Sequence, residues 1–239
     1  MGNGRSKLNK SGTSKVPKTL AITTTNAHTY GITLHRGKAH NLDKELIENR
    51  LQQGLDTINA LQNLLGLKTN MLPVVNMYYM RESSTAYGDC RLGWGAENFD
   101  AQINLYNGMF RDKNYDTAAH EYVHALEAWI IKQNIPQAVD QINAWSDHMY
   151  ADAICRNALV KVGAISKNDV FDKDIWKTHA STIKLNKWDT YASTKTAETL
   201  TRAVQEVLRR GNNASDYAKA VVASLKDEIQ LTYKHMNKK

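Results

Sequence analysis

His120-Glu121-Tyr122-Val123-His124 is an H-E-x-x-H run, and its flanks carry helical spacing. Tyr122, Val123, Leu126, Trp129 and Ile130 recur at the intervals of a buried helix face, and Asp116 and Thr117 offer capping side chains at its start. Residues four apart on a helix stack on one face. The two imidazoles therefore point the same way, close enough to share one metal ion. Glu121 is displaced by about 100° around the axis, a placement that suits a base acting on water beside the metal rather than a ligand. Ala118, Ala119 and Ala125 are small and mark the helix as buried. A buried helix rarely carries two histidines and a glutamate without a partner for them.

A catalytic zinc site usually has three protein ligands. A metzincin would place Gly and His where this chain has Glu127 and Ile130, which excludes that class. Glu127 shares the helix with the histidines and cannot complete a tetrahedron. No Glu occurs between Glu127 and Glu198. The candidates are Glu198, Glu206 and Glu228, with His148, His179 and several Asp residues as outsiders. Glu198 closes the stretch Tyr191-Ala-Ser-Thr-Lys-Thr-Ala-Glu198, which opens a helix running through Leu200, Ala203, Val204 and Leu208 to Gly211.

The HExxH helix followed by this Y-A-x-x-x-x-x-E segment resembles the gluzincin peptidases similar to anthrax lethal factor and the Pro-Pro endopeptidases. It is also similar to metallopeptidase domains of phage head-morphogenesis and minor head proteins. The resemblance covers roughly Ala86 to Glu206 and includes Ala86-Tyr87-Gly88 and Ile103-Asn104-Leu105 ahead of the helix. It implies Glu198 as third zinc ligand and Tyr191 as hydroxyl donor to the oxyanion. It also implies one catalytic zinc, an extended protein or peptide substrate, and zinc endopeptidase activity with Glu121 as general base. The chain departs from the pattern at Val123, where Gly is common. It departs again in the long gap from His124 to Glu198, and at Thr199-Leu200-Thr201-Arg202, where acidic residues are usual. A zinc-containing structural protein, such as a phage head component with a vestigial site, is the alternative. The joint presence of Glu121 and Tyr191 favours the enzyme.

The chain of 239 residues can bury one core or two small lobes around a cleft. Its 42% hydrophobic and 23% charged content is ordinary for a globular protein. Cys90 and Cys155 lack nearby Cys or His partners at ligand spacing and read as free thiols of a reducing compartment. No apolar run suits a membrane span or a signal peptide, so a cytoplasmic or virion-associated location without a membrane partner is expected. The net charge is +7, and Arg5, Lys7, Lys10, Lys15 and Lys18 fall within residues 1–18 with no acid. That composition predicts a flexible basic tail, able to hold an acidic or nucleic-acid partner.

The remaining pattern predicts an α+β, zincin-like domain over 19–239, with lobes of roughly 19–131 and 132–239 flanking a cleft. A strand pair is expected between Thr19 and His35, and an amphipathic helix over 41–65 stopping at Gly66. A β-rich run follows over 73–79, then a turn-rich loop or irregular hairpin over 83–100 containing Gly88, Gly93 and Gly95. A short strand over Gln102–Leu105 is expected to offer a free edge to substrate. Beyond Pro136 the chain reads as mostly helical, with Asn213 and Ser215 opening the last helix.

Overall fold

A computed structural model describes residues 19–20, 32–35, 44–68, 74–80, 86–94, 99–172, 174–180 and 195–238. The expected basic tail (1–18) and Tyr191 lie outside the described residues. The architecture is mixed α+β. Five strands, β1 (Thr19–Leu20), β2 (Ile32–His35), β3 (Val74–Met80), β4 (Gly88–Trp94) and β5 (Phe99–Tyr106), form one sheet in the order β1-β2-β3-β5-β4. β1 and β2 are the antiparallel pair expected from the sequence, β2, β3 and β5 run parallel, and β4 returns antiparallel to β5.

Two long helices cover the sheet. Helix α1 (Lys44–Leu65) buries Ile47, Leu51, Leu55, Ile58, Leu61 and Leu65, a stripe at helical spacing. It stops at Gly66, whose φ of 65° is the left-handed conformation that glycine adopts without penalty. Leu46, expected on the same stripe, is 39% exposed. After the short α2 (Asn107–Arg111), helix α3 (Thr117–Asn134) carries the HExxH run. Fourteen of its residues are buried, because sheet and α1 pack on one side and later helices on the other. Those are α4 (Ala138–Ser146), α5 (Met149–Lys161), α6 (Ile175–Ala180), α7 (Thr196–Arg210) and α8 (Asp216–Met236). One buried apolar cluster runs from α1 and the sheet through α3 to α5, α7 and α8. The Ser215 side chain caps α8 by accepting from the Ala218 N–H at 3.3 Å. Among the described residues, no helix is long and apolar enough to cross a membrane.

Of the two readings for 83–100, the hairpin is the one observed: β4 pairs antiparallel with β5, Trp94 opposite Phe99. The glycines suit a terminal strand that approaches a helix. Two expectations are corrected. Gln102–Leu105 lies within β5, which is paired with β3 on one side and β4 on the other. It has no free edge, and the terminal strand is β4. The Asp116 side chain does not cap α3. It bonds Arg209 of α7 instead, with N–O distances of 2.8 and 2.5 Å.

Glu127 is fully buried, accepts the Ala151 N–H of α5 at 3.0 Å through Oε1, and leaves Oε2 without a partner. Burial pushes its carboxyl from 4.5 up to about 7. The folded state therefore holds a proton that the unfolded chain releases above about 4.5. This contribution to stability is full below that pH and is lost as pH rises through about 7. Glu127→Gln should flatten the decline, relative to wild type, by on the order of 3 kcal/mol between about pH 5 and 8. Denaturant titrations across that range check it, and identical pH slopes would refute it.

Candidate metal centre

Helices α3 and α7 bring three ligand-type side chains together. His120 Nε2 lies 3.4 Å from Glu198 Oε2, and His124 Nε2 lies 3.6 Å from Glu198 Oε1. One ligand atom from each of the three residues falls within 4.8 Å of the other two. The imidazoles come from successive turns of α3, with ring centroids 5.1 Å apart. Glu198 comes from the first turn of α7. The cluster lines a cleft of about 600 Å³, whose walls also include Gly88, Asp89 and Cys90 of β4, Trp145 of α4, His148, and Lys195.

Protonation decides what this cluster can hold. His120 Nδ1 lies 3.3 Å from Gln205 Oε1. That atom's identity is fixed by Arg202, which donates to it at 2.8 Å, while Gln205 Nε2 donates to the Asp116 carbonyl at 3.3 Å. His120 therefore sits between two acceptors, the Gln205 carbonyl and the Glu198 carboxylate. A neutral imidazole has one N–H and serves only one of them. With Nδ1–H donated to Gln205, Nε2 presents a lone pair toward a carboxylate, and a cation satisfies both. Burial alone would raise Glu198, but His120 and His124 outweigh it and hold the carboxyl below its usual value. Burial drives His124 down to about 3, with His120 adding to the effect, so at neutral pH it is an uncharged donor. Two imidazoles and one carboxylate fit a divalent transition metal, with Gln205 orienting His120 as outer partners of metal-bound histidines do.

Glu121 is 7% exposed and does not join the cluster. Burial raises its carboxyl to about 7, with Glu198 and Asp89 adding to the rise and His120 opposing it. It lies against β4: a Cβ built on Gly88 would meet Thr117 Cγ2 at 2.9 Å and Glu121 Cγ at 3.0 Å. Glycine is thus required there by the close approach of strand and helix. Behind it, Asp89 is held by the hydroxyl of Tyr106 and by Asn104 Nδ2 at 2.7 Å. Asp89 and Asn104 are direct cross-strand neighbours, so this contact pins β4 in register.

Of the other candidate ligands, His148 lines the cleft outside the cluster, and the following lie elsewhere. Glu206 accepts the Ser215 N–H at 2.8 Å and its hydroxyl at 3.1 Å, at the α7–α8 junction. His179 contacts the Ile175 carbonyl at 2.9 Å within α6. Glu228 is on α8, outside the cluster. Sequence reasoning missed Gln205, whose signal is a buried polar residue two turns beyond Glu198 on the same helix. It also missed Asp89, since one acid in a turn-rich stretch carries no spacing signal.

His120→Ala and His124→Ala should each abolish stoichiometric metal uptake, and Gln205→Leu should weaken it about 10–100-fold. Chelator competition followed by elemental analysis measures both; full metal retention in the histidine variants would remove the centre. Gly88→Ala should cost about 1–3 kcal/mol of unfolding free energy through overpacking, whereas unchanged stability would show slack between β4 and α3. Comparisons with protein-family models, with curated proteins and with solved structures each returned no match, so the functional reading rests on the chemistry of these residues.

Proposed function

We propose that the protein is a zinc-dependent endopeptidase with a zincin-like fold. The observation that carries this reading is the His120–His124–Glu198 cluster with a buried, non-ligating Glu121 beside it in one cleft. His120, His124 and Glu198 would hold the ion. Zinc there would lower the pKa of its water toward ~7 and polarise the scissile carbonyl.

Glu121 takes the proton from the attacking water and passes it to the leaving amine. A carboxyl near neutrality suits both transfers. Gly88 and Cys90 of β4 line the cleft together with Glu121. The substrate is a protein or peptide in extended form, laid along β4. That strand ends the described sheet and lines the cleft, so its main chain can pair with a substrate backbone. The resemblance assigns Tyr191 the role of hydroxyl donor to the carbonyl oxygen as it gains charge, a contact made mainly in the transition state.

Glu121→Gln should keep the metal and the fold but reduce peptide hydrolysis by at least ~10²–10⁴. A peptide-library digest read by mass spectrometry tests this, and near-normal cleavage by the variant would exclude Glu121 as base. Glu198→Ala should release the metal. Glu206→Ala should retain it and cost only about 1 kcal/mol at the α7–α8 junction, the size of a lost cap. The reverse outcome in metal titrations would move the third ligand to Glu206.

A further inference from the structure

His148 plays no part in the chemistry above, yet the fold holds it in an uncommon state. It makes the turn between α4 and α5 with φ 50° and ψ 39°, the left-handed region where glycine is the default residue. Its ring lines the same cleft as His120, Glu121 and Glu198. The ring stands edge-to-face to Trp145 with centroids 6.0 Å apart, and Trp145 stands edge-to-face to His124 at 6.4 Å. The imidazole is thus held, through one aromatic ring, at a defined position relative to the metal cluster. A turn that needed only left-handed backbone would be met by Gly or Asn, and neither brings an imidazole.

The direction of its donor follows from burial. Nδ1 is buried without a hydrogen-bond partner. Burial, reinforced by nearby Lys195, holds the ring below the usual histidine range, so it is neutral at pH 7 with one N–H. Orphaned buried N–H groups are rarer than under-satisfied acceptors, which puts the proton on Nε2. We propose that His148 contacts the substrate, donating its Nε2–H to the scissile carbonyl oxygen as that oxygen gains negative charge. It acts from the α4–α5 side of the cleft, whereas Glu121 works beside β4. The role is additional to that of Tyr191, and it rests on the metallopeptidase reading.

The test uses the full chain loaded with cobalt, whose visible spectrum reports a bound oxygen anion without a known peptide substrate. Acetohydroxamate is titrated into wild type, His148→Gly and His148→Asn, both of which accept left-handed backbone. Cobalt content and melting temperature should match wild type or, for Gly, exceed it. Acetohydroxamate affinity should fall about 10–100-fold, the loss of one hydrogen bond to a charged group, and added imidazole should restore it in His148→Gly. Unchanged affinity in both cobalt-loaded variants would overturn the substrate contact and leave the metal centre standing. Loss of cobalt from the variants would make His148 a support of the metal cluster instead. Failure of wild type to take up cobalt would overturn the metal centre and this inference with it.

Discussion

The His120 imidazole lies between two acceptors, and the fold around the cleft is arranged to keep it there. Gln205 Oε1 faces one ring nitrogen at 3.3 Å and Glu198 Oε2 faces the other at 3.4 Å. Both acceptors belong to α7, so the crossing of α3 and α7 sets the geometry. The Asp116–Arg209 pair and the Gln205 bond to the Asp116 carbonyl tie the start of α3 to α7. Gln205 thus serves both the tie and the ring of His120, so small rotations of α7 would act on the acceptors facing His120.

Burying so many ionisable groups on one helix is costly, and the structure meets the cost differently for each. His124 stays neutral because burial depresses its basicity. Glu198 stays charged because two imidazoles face it. Glu121 and Glu127 are both raised to about 7 by burial, yet only Glu121 lines the cleft. Glu127 points to α5 and accepts from Ala151, three residues beyond His148. Six residues of α3 therefore separate a carboxyl available for proton transfer from one that anchors the neighbouring helix.

What was legible in the chain follows the range of each interaction. The HExxH helix could be read because its two histidines are local, four residues apart on one face. The α1 stripe and its Gly66 stop were legible for the same reason. Glu198 lies on a different helix, and spacing alone left Glu206 and Glu228 equally open; the resemblance selected it. β4 stayed ambiguous between loop and hairpin because Gly88 and Gly93 break the β pattern, and Gly88 is required by a helix that the local sequence cannot reveal. The free edge was then misassigned to β5, since a strand's edge is defined by its pairing partners. Asp116 looked like a cap because caps are local, but a cation on α7 claimed it.

The two walls of the cleft differ in how they are held, and this divides their chemical tasks. The β4 wall is paired along its length to β5 and pinned through Asp89 to Asn104 and Tyr106. A main chain fixed in that way suits a repeating backbone partner and leaves little freedom to adapt to side chains. The opposite wall rests on the single turn between α4 and α5, with Trp145 and His148 standing edge-to-face. Val139 and Ile142 on α4 and Met149 at the start of α5 remain 70%, 47% and 52% exposed around it. A turn bordered by exposed apolar side chains can move more readily than a paired strand. Under the peptidase reading, β4 would set the register of an extended substrate. Discrimination between side chains, and the closeness of His148 to the reacting carbonyl, would be decided at the α4–α5 turn.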